Sequence, residues 1–134
     1  MDALLAVTIL VTAASSFYLI SSNLEKSNSS FLLEKKQADD ILATLDKSGD
    51  LQSKNESEIS ANTELLMPPN MDWRVTVEYY AYSPSDGFVL NETVDMGQIR
   101  PNKESSASAE RVFVTFSNNY ISNYGIARIA VWPE

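Results

Sequence analysis

The hydrophobic pattern of this chain changes character three times. Met1 to Ile20 reads MDALLAVTILVTAASSFYLI: an acid at Asp2, then an unbroken run without a charge or a polar stripe. A helix on the surface of a water-soluble domain shows a polar face, and a secretory signal carries basic residues ahead of its apolar stretch. Neither is present, so the pattern predicts a helix surrounded by lipid or by the apolar core of an assembly. Ala3 to Ile20 would be about 27 Å long as a helix, just short of a hydrocarbon layer of roughly 30 Å. Thr8, Thr12, Ser15 and Ser16 interrupt the run, and Ala3, Ala6, Ala13 and Ala14 add small side chains. Small and hydroxyl residues let helix backbones approach closely, which suits packing among copies of the same helix better than a solitary anchor.

A polar stretch, Ser21 to Ser30, leads into FLLEKKQADDILATLD over Phe31–Asp46. Spacings of three, four and seven put Phe31, Ala38, Ile41, Leu42 and Leu45 on one stripe. A continuous helix from Asp2 to Asp46 would measure about 68 Å, and Ser27–Ser30 is its natural place to bend. Gly49 is placed to end it as a left-handed cap. Residues 47–60 read as a polar linker, Asn62–Leu66 as one helical turn, and Pro68-Pro69 as its stop.

Beyond Asp72 the period becomes two. Trp73, Val75, Val77, Tyr79 and Ala81 alternate with Arg74, Thr76, Glu78, Tyr80 and Tyr82. Ser83–Gly87 reads as a turn, Phe88–Leu90 and Thr93–Ile99 as short strands around Asn91-Glu92, and Arg100–Ala109 as a loop. Arg111–Phe116 alternates again. Tyr124–Trp132 is apolar on both faces apart from Arg128, the pattern of a doubly covered strand. The expected fold is α+β, with a long N-terminal helix, apolar in its first half and amphipathic in its second. A small C-terminal antiparallel β-sheet packs on it. The boundaries are 1–47 for the helix (1–20 as filament core or membrane segment), 48–72 for linker and junction, and 73–134 for the β head.

Composition narrows the chemistry. The 134 residues contain no Cys and no His, and the formal net charge is −8. Disulfides, imidazole or thiolate metal sites, and Ser-His or Cys-His catalysis are excluded. A net negative chain is a poor nucleic-acid binder. Asp39-Asp40 are helix neighbours that point apart, and Asp46, Asp50, Glu56 and Glu58 lack the order of a Ca²⁺ loop. No Gly-rich phosphate loop exists. The expectation is a non-enzyme without cofactor or metal.

The acid leading straight into an apolar helix, Asp2-Ala3-Leu4-Leu5-Ala6-Val7-Thr8-Ile9-Leu10, resembles the archaeal type IV pilin-like proteins of the type IV filament superfamily. Leu65–Asn70 followed by Trp73–Tyr82 is similar to their helix-to-sheet junction. The resemblance implies that a prepilin peptidase removes a short basic leader, so that the sequence is either processed already or lacks its first residues, the alternative being that Met1 is a plain start codon. It implies membrane insertion before assembly, then polymerisation by the pilus assembly machinery into an extracellular helical homopolymer on the cell surface, serving adhesion or attachment. The implied filament core is Asp2, Leu4, Leu5, Val7, Ile9, Leu10, Val11, Phe17, Leu19 and Ile20. Bacterial pilins carry Glu at the fifth mature position, where this chain has Leu5. Asp2 is then either the partner of a terminal amine or a helix N-cap, and filament assembly by Asp2→Ala separates the two. The alternative is a single-pass membrane-anchored extracytoplasmic binding protein, or a minor pilin outside the bulk filament.

Three Asn-X-Ser/Thr triplets, at Asn28, Asn55 and Asn91, are candidate N-glycosylation acceptors. About two arise by chance in a chain of this Asn, Ser and Thr content, but all three lie in polar segments. The aromatic run Tyr79-Tyr80-Ala81-Tyr82 reads first as sheet packing and second as an adhesive surface.

Overall fold

A computed structural model describes Ser15, residues 29–99 and residues 106–134, and structural statements apply to these residues. Residues 34–134 form a compact unit. Its body is a four-stranded antiparallel sheet of β1 (Met71–Ser83), β2 (Gly87–Gly97), β3 (Ala107–Ser117) and β4 (Tyr120–Pro133), in the order β2-β1-β4-β3. Three helical segments precede it: α1 over 29–48, α2 (Asp50–Ser53) and α3 (Glu56–Leu66).

Expectation and structure part here. The sequence predicted a long helix over 1–47 with a small sheet attached. Instead 49% of the described structure is strand, and the described residues show no long N-terminal helix of the kind expected. Where α1 is described it ends at Gly49, whose φ of 84° lies in the left-handed region. Lys54, with φ 57°, breaks the path again after one turn. No described helix is long and apolar enough to cross a membrane, so the expectations of a transmembrane helix and of a pilin-like helical fold are corrected. Residues 1–14 and 16–28, on which much of that expectation fell, lie outside the described residues.

Smaller corrections each have their own physical origin. The supposed linker is largely helical. Asn55 caps α3, its Oδ1 accepting the backbone N–H of Ser57 at 3.2 Å and of Glu58 at 3.4 Å. Glu56 and Glu58 sit in the first turn, where the helix dipole favours acids. Ile59 and Thr63 are the buried residues of α3, and Thr63 donates its hydroxyl to the Ile59 carbonyl at 2.6 Å. Two short strands were expected around Asn91-Glu92, but β2 is continuous because Asn91 is accommodated as a bulge: Tyr79 pairs with Glu92 and Tyr80 with Leu90. The end of the supposed loop, Ala107–Ala109, opens β3, where two alanines are small enough to sit under the helices.

The register explains the core. Trp73, Val75 and Val77 lie opposite Val131, Ile129 and Ala127, all on the face that α1 and α3 cover. Ala38, Ile41, Leu42 and Leu45 of α1, Leu51 of α2 and Ile59 of α3 complete the cluster. Burying a Leu- or Ile-sized side chain contributes about 1.5–3 kcal/mol. Gly125 is required by a close approach, since a β-carbon there would overlap the ring of Phe113. Two asparagines, Asn118 and Asn119, at φ 52° and 66°, form the β3–β4 hairpin, the left-handed pair that a two-residue turn demands. Both hairpins therefore lie at one end of the sheet.

Candidate functional site

The helices cover one sheet face and leave the other open. Because side chains alternate along each strand, the even-numbered residues of β1 from Arg74 to Tyr82 and of β4 from Tyr124 to Ala130 line the open face. This face has two halves.

The half away from the hairpins is ionic. Arg74 forms a two-pronged pair with Asp95, its Nε donating to Oδ1 at 2.9 Å and its Nη2 to Oδ2. Thr76 donates to the same Asp95 Oδ1 at 3.1 Å. These bonds, the guanidinium first, hold the Asp95 carboxyl below the usual carboxylate range and Arg74 above its own. One strand further on, Arg128 bridges Glu110 at 2.6 Å and Glu78 at 3.0 Å. A recess of about 500 Å³ opens beside these pairs, with Ile99 and Ala130 also on its wall. Both guanidiniums at its rim already hold carboxylates, which leaves no open charge to recruit an anion.

The hairpin half is aromatic and almost free of charge. Tyr80 stacks on Tyr124 with ring centres 4.7 Å apart and planes within 3°. Phe88 meets Tyr124 edge-on at 4.9 Å and Tyr82 at 5.5 Å. Tyr80 donates its hydroxyl to Glu78 at 3.2 Å and so joins the two halves. Burial, and then the Glu78 charge, push the Tyr80 phenol up. From Tyr79 to Asn91 the only charged side chain is Asp86, and from Val112 to Ala127 there is none. Large apolar side chains nevertheless face solvent here: Phe116 is 67% exposed, Tyr82 60% and Leu90 48%.

Of the aromatic run, Tyr79 alone turns inward. It donates to the Leu51 carbonyl at 3.0 Å, meets Phe113 edge-on at 5.8 Å, and has Lys54 Nζ 5.0 Å from its ring centre. Burial first, with the Glu92 charge second, raises its hydroxyl to about 12. On the same side Arg111 of β3 donates to Asp46 at the end of α1 at 2.7 Å, and Gln52 donates to the other oxygen of Asp46 at 2.8 Å.

The expected filament-core residues Asp2, Leu4, Leu5, Val7, Ile9, Leu10, Val11, Phe17, Leu19 and Ile20 lie outside the described residues, as does Asn28. Asn55 is exposed at the α3 cap and Asn91 is exposed at the β2 bulge. Among the described residues no group of three or more His, Cys, Asp or Glu side chains is arranged to hold a metal ion. Sequence reasoning missed the contrast between the halves of the open face. Its signal was present in the two long uncharged stretches, which gain meaning only when strand pairing places them side by side. No family model, curated protein or solved structure matches the chain at a significant level.

Proposed function

We propose that this protein is a structural subunit that polymerises into an extracellular, type IV pilus-like filament used for attachment. The helix–sheet unit of residues 34–134 is then the outer part of each subunit. The observation that carries the reading is the uncharged apolar run after Asp2, upstream of a sheet unit that has its own core. Such a run lowers its free energy by leaving water, at about 25 cal/mol per Å² buried, and identical runs on many copies can bury one another. Contacts repeated head to tail without closing produce a helical fibre. The open face is consistent with a contact role, since its ion pairs are internally matched and its aromatic end is uncharged.

The reading is tested by negative-stain electron microscopy of sheared cell-surface material, with the filament protein identified by mass spectrometry. Filaments composed mainly of this chain are expected. Recovery of the chain only as dispersed protein, with no filament containing it, would overturn the reading.

A further inference from the structure

The two edge strands of the sheet are matched to each other. β2 and β3 each pair on one side only among the described residues. They run in opposite directions, because each neighbouring pair in the order β2-β1-β4-β3 is antiparallel. A second copy set beside the first by lateral translation would bring its β2 against β3 with the antiparallel alternation unbroken. Both edges are uncharged in the hairpin half: Gly87–Asn91 on β2 and Val112–Ser117 on β3. Natural edge strands are usually blunted by lysines, prolines or inward-pointing charges. Here each bare edge instead exposes large apolar residues, Phe88, Val89 and Leu90 on one side, Val112 and Phe116 on the other.

We propose that neighbouring subunits join sheet edge to sheet edge, the hairpin half of β2 in one copy pairing with the hairpin half of β3 in the next. Charge selects the occupant. Copies that each carry a net charge of −8 repel over most of their surface, and these two edge segments are where they can meet without an opposed carboxylate. The register follows from the rows of the sheet. Leu90, Tyr80, Tyr124 and Val114 form one row across all four strands, so an unshifted joint sets Leu90 of one copy beside Val114 of the next. Further from the hairpins the row Asp95-Thr76-Arg128-Glu110 would set Asp95 against Glu110, and like charges opposite each other destabilise a pair. The joint therefore ends near Asn91, where the β2 bulge turns the strand away. Being heterologous it does not close on itself. It rests on the filament reading and gives that filament a lateral contact.

The chain has no cysteine, so a clean test is available. Leu90→Cys, Val114→Cys and the double variant are made in the full chain, checked for native circular dichroism, allowed to assemble, oxidised, and run on a non-reducing gel. Facing residues in adjacent strands lie about 4.5–5.5 Å apart, within disulfide reach. The double variant is expected to give a ladder of oligomers and each single variant only monomer. Pairing Leu90→Cys with Val112→Cys or Phe116→Cys covers a slip of two residues either way. If all three doubles stay monomeric while the wild-type chain forms filaments, the edge joint is wrong and the filament reading stands. If singles cross-link as readily as doubles, the contact is a self-paired one and the heterologous joint is overturned. Absence of wild-type filaments counts against the filament reading itself, and the edge joint falls with it.

Discussion

The covered face and the open face of this one sheet are built by different physics. On the covered face Leu42, Leu45, Leu51, Ile59, Val75, Val77 and Ile129 have at most 1% of their surface exposed, and side chains from three helices and four strands interlock. The open face is held by half-exposed ion pairs and by aromatic rings resting on one another. Dense apolar packing punishes any lost methylene, whereas exposed ion pairs add little. The sheet thus keeps its stability on one side. The other side is left free to carry surface that stability alone does not require, such as the bare aromatic end.

That contrast can be attacked by substitution, starting where the effect is largest. Leu42→Ala should cost about 2–5 kcal/mol, read as a lower urea midpoint. Gly125→Ala, which drives a methyl into the Phe113 ring, should cost about 1–3 kcal/mol by overpacking. A thermal midpoint equal to wild type would mean that Phe113 swings aside freely. Tyr79→Phe loses the bond to the Leu51 carbonyl and should cost about 1 kcal/mol. The pH dependence carries the same residue's signature. Folding raises the Tyr79 phenol from 10.0 to about 12, so its contribution is whole below pH 10 and drains away as pH rises toward 12. An alkaline titration of tyrosinate absorbance should show Tyr79 and Tyr80 ionising late, and Tyr79→Phe should remove the Tyr79 step.

On the open face the effects shrink. Arg128→Ala should cost about 0.5 kcal/mol despite cutting two ion pairs. Asp95, held below its ordinary 3.8, contributes above that pH and loses its contribution as pH falls through the lowered value. Asp95→Asn should therefore lower neutral stability slightly, by about 0.5 kcal/mol, and converge with wild type at low pH, which flattens the acid limb. Large losses from either open-face substitution would erase the distinction between the faces.

How much of this was legible in the chain follows the same division. The alternation of Trp73, Val75, Val77 and Tyr79 names residues that are in fact buried, and the helical spacing of Ala38, Ile41, Leu42 and Leu45 does likewise, while Phe31 of the same stripe is 50% exposed. Short-range periodicity records which face meets the core. The helical stretch after Gly49 was hidden because α3 buries only Ile59 and Thr63, too few for a stripe. Its start depends on a cap, Asn55, that reads equally well as a loop residue. The length of β2 was hidden because a bulge resets the period at Asn91. The helix expected over 1–47 ends at the Gly49 cap that the sequence marked, but its apolar first half was an extrapolation into residues outside those described. The charge-free end of the open face was invisible for another reason. It joins Tyr80 to Tyr124 and Phe88 across strand pairings that no local pattern announces.

The central claim is that the hairpin half of the open sheet is contact surface and the ionic half is not. Amide hydrogen exchange of the full chain, compared between dispersed and assembled states, measures it directly. The account predicts that Gly87–Leu90 and Val112–Ser117 gain protection on assembly, while amides around Arg74, Asp95 and Arg128 exchange alike in both states. Unchanged exchange at both edge segments in assembled material, or protection gained instead across the ionic half, would contradict it.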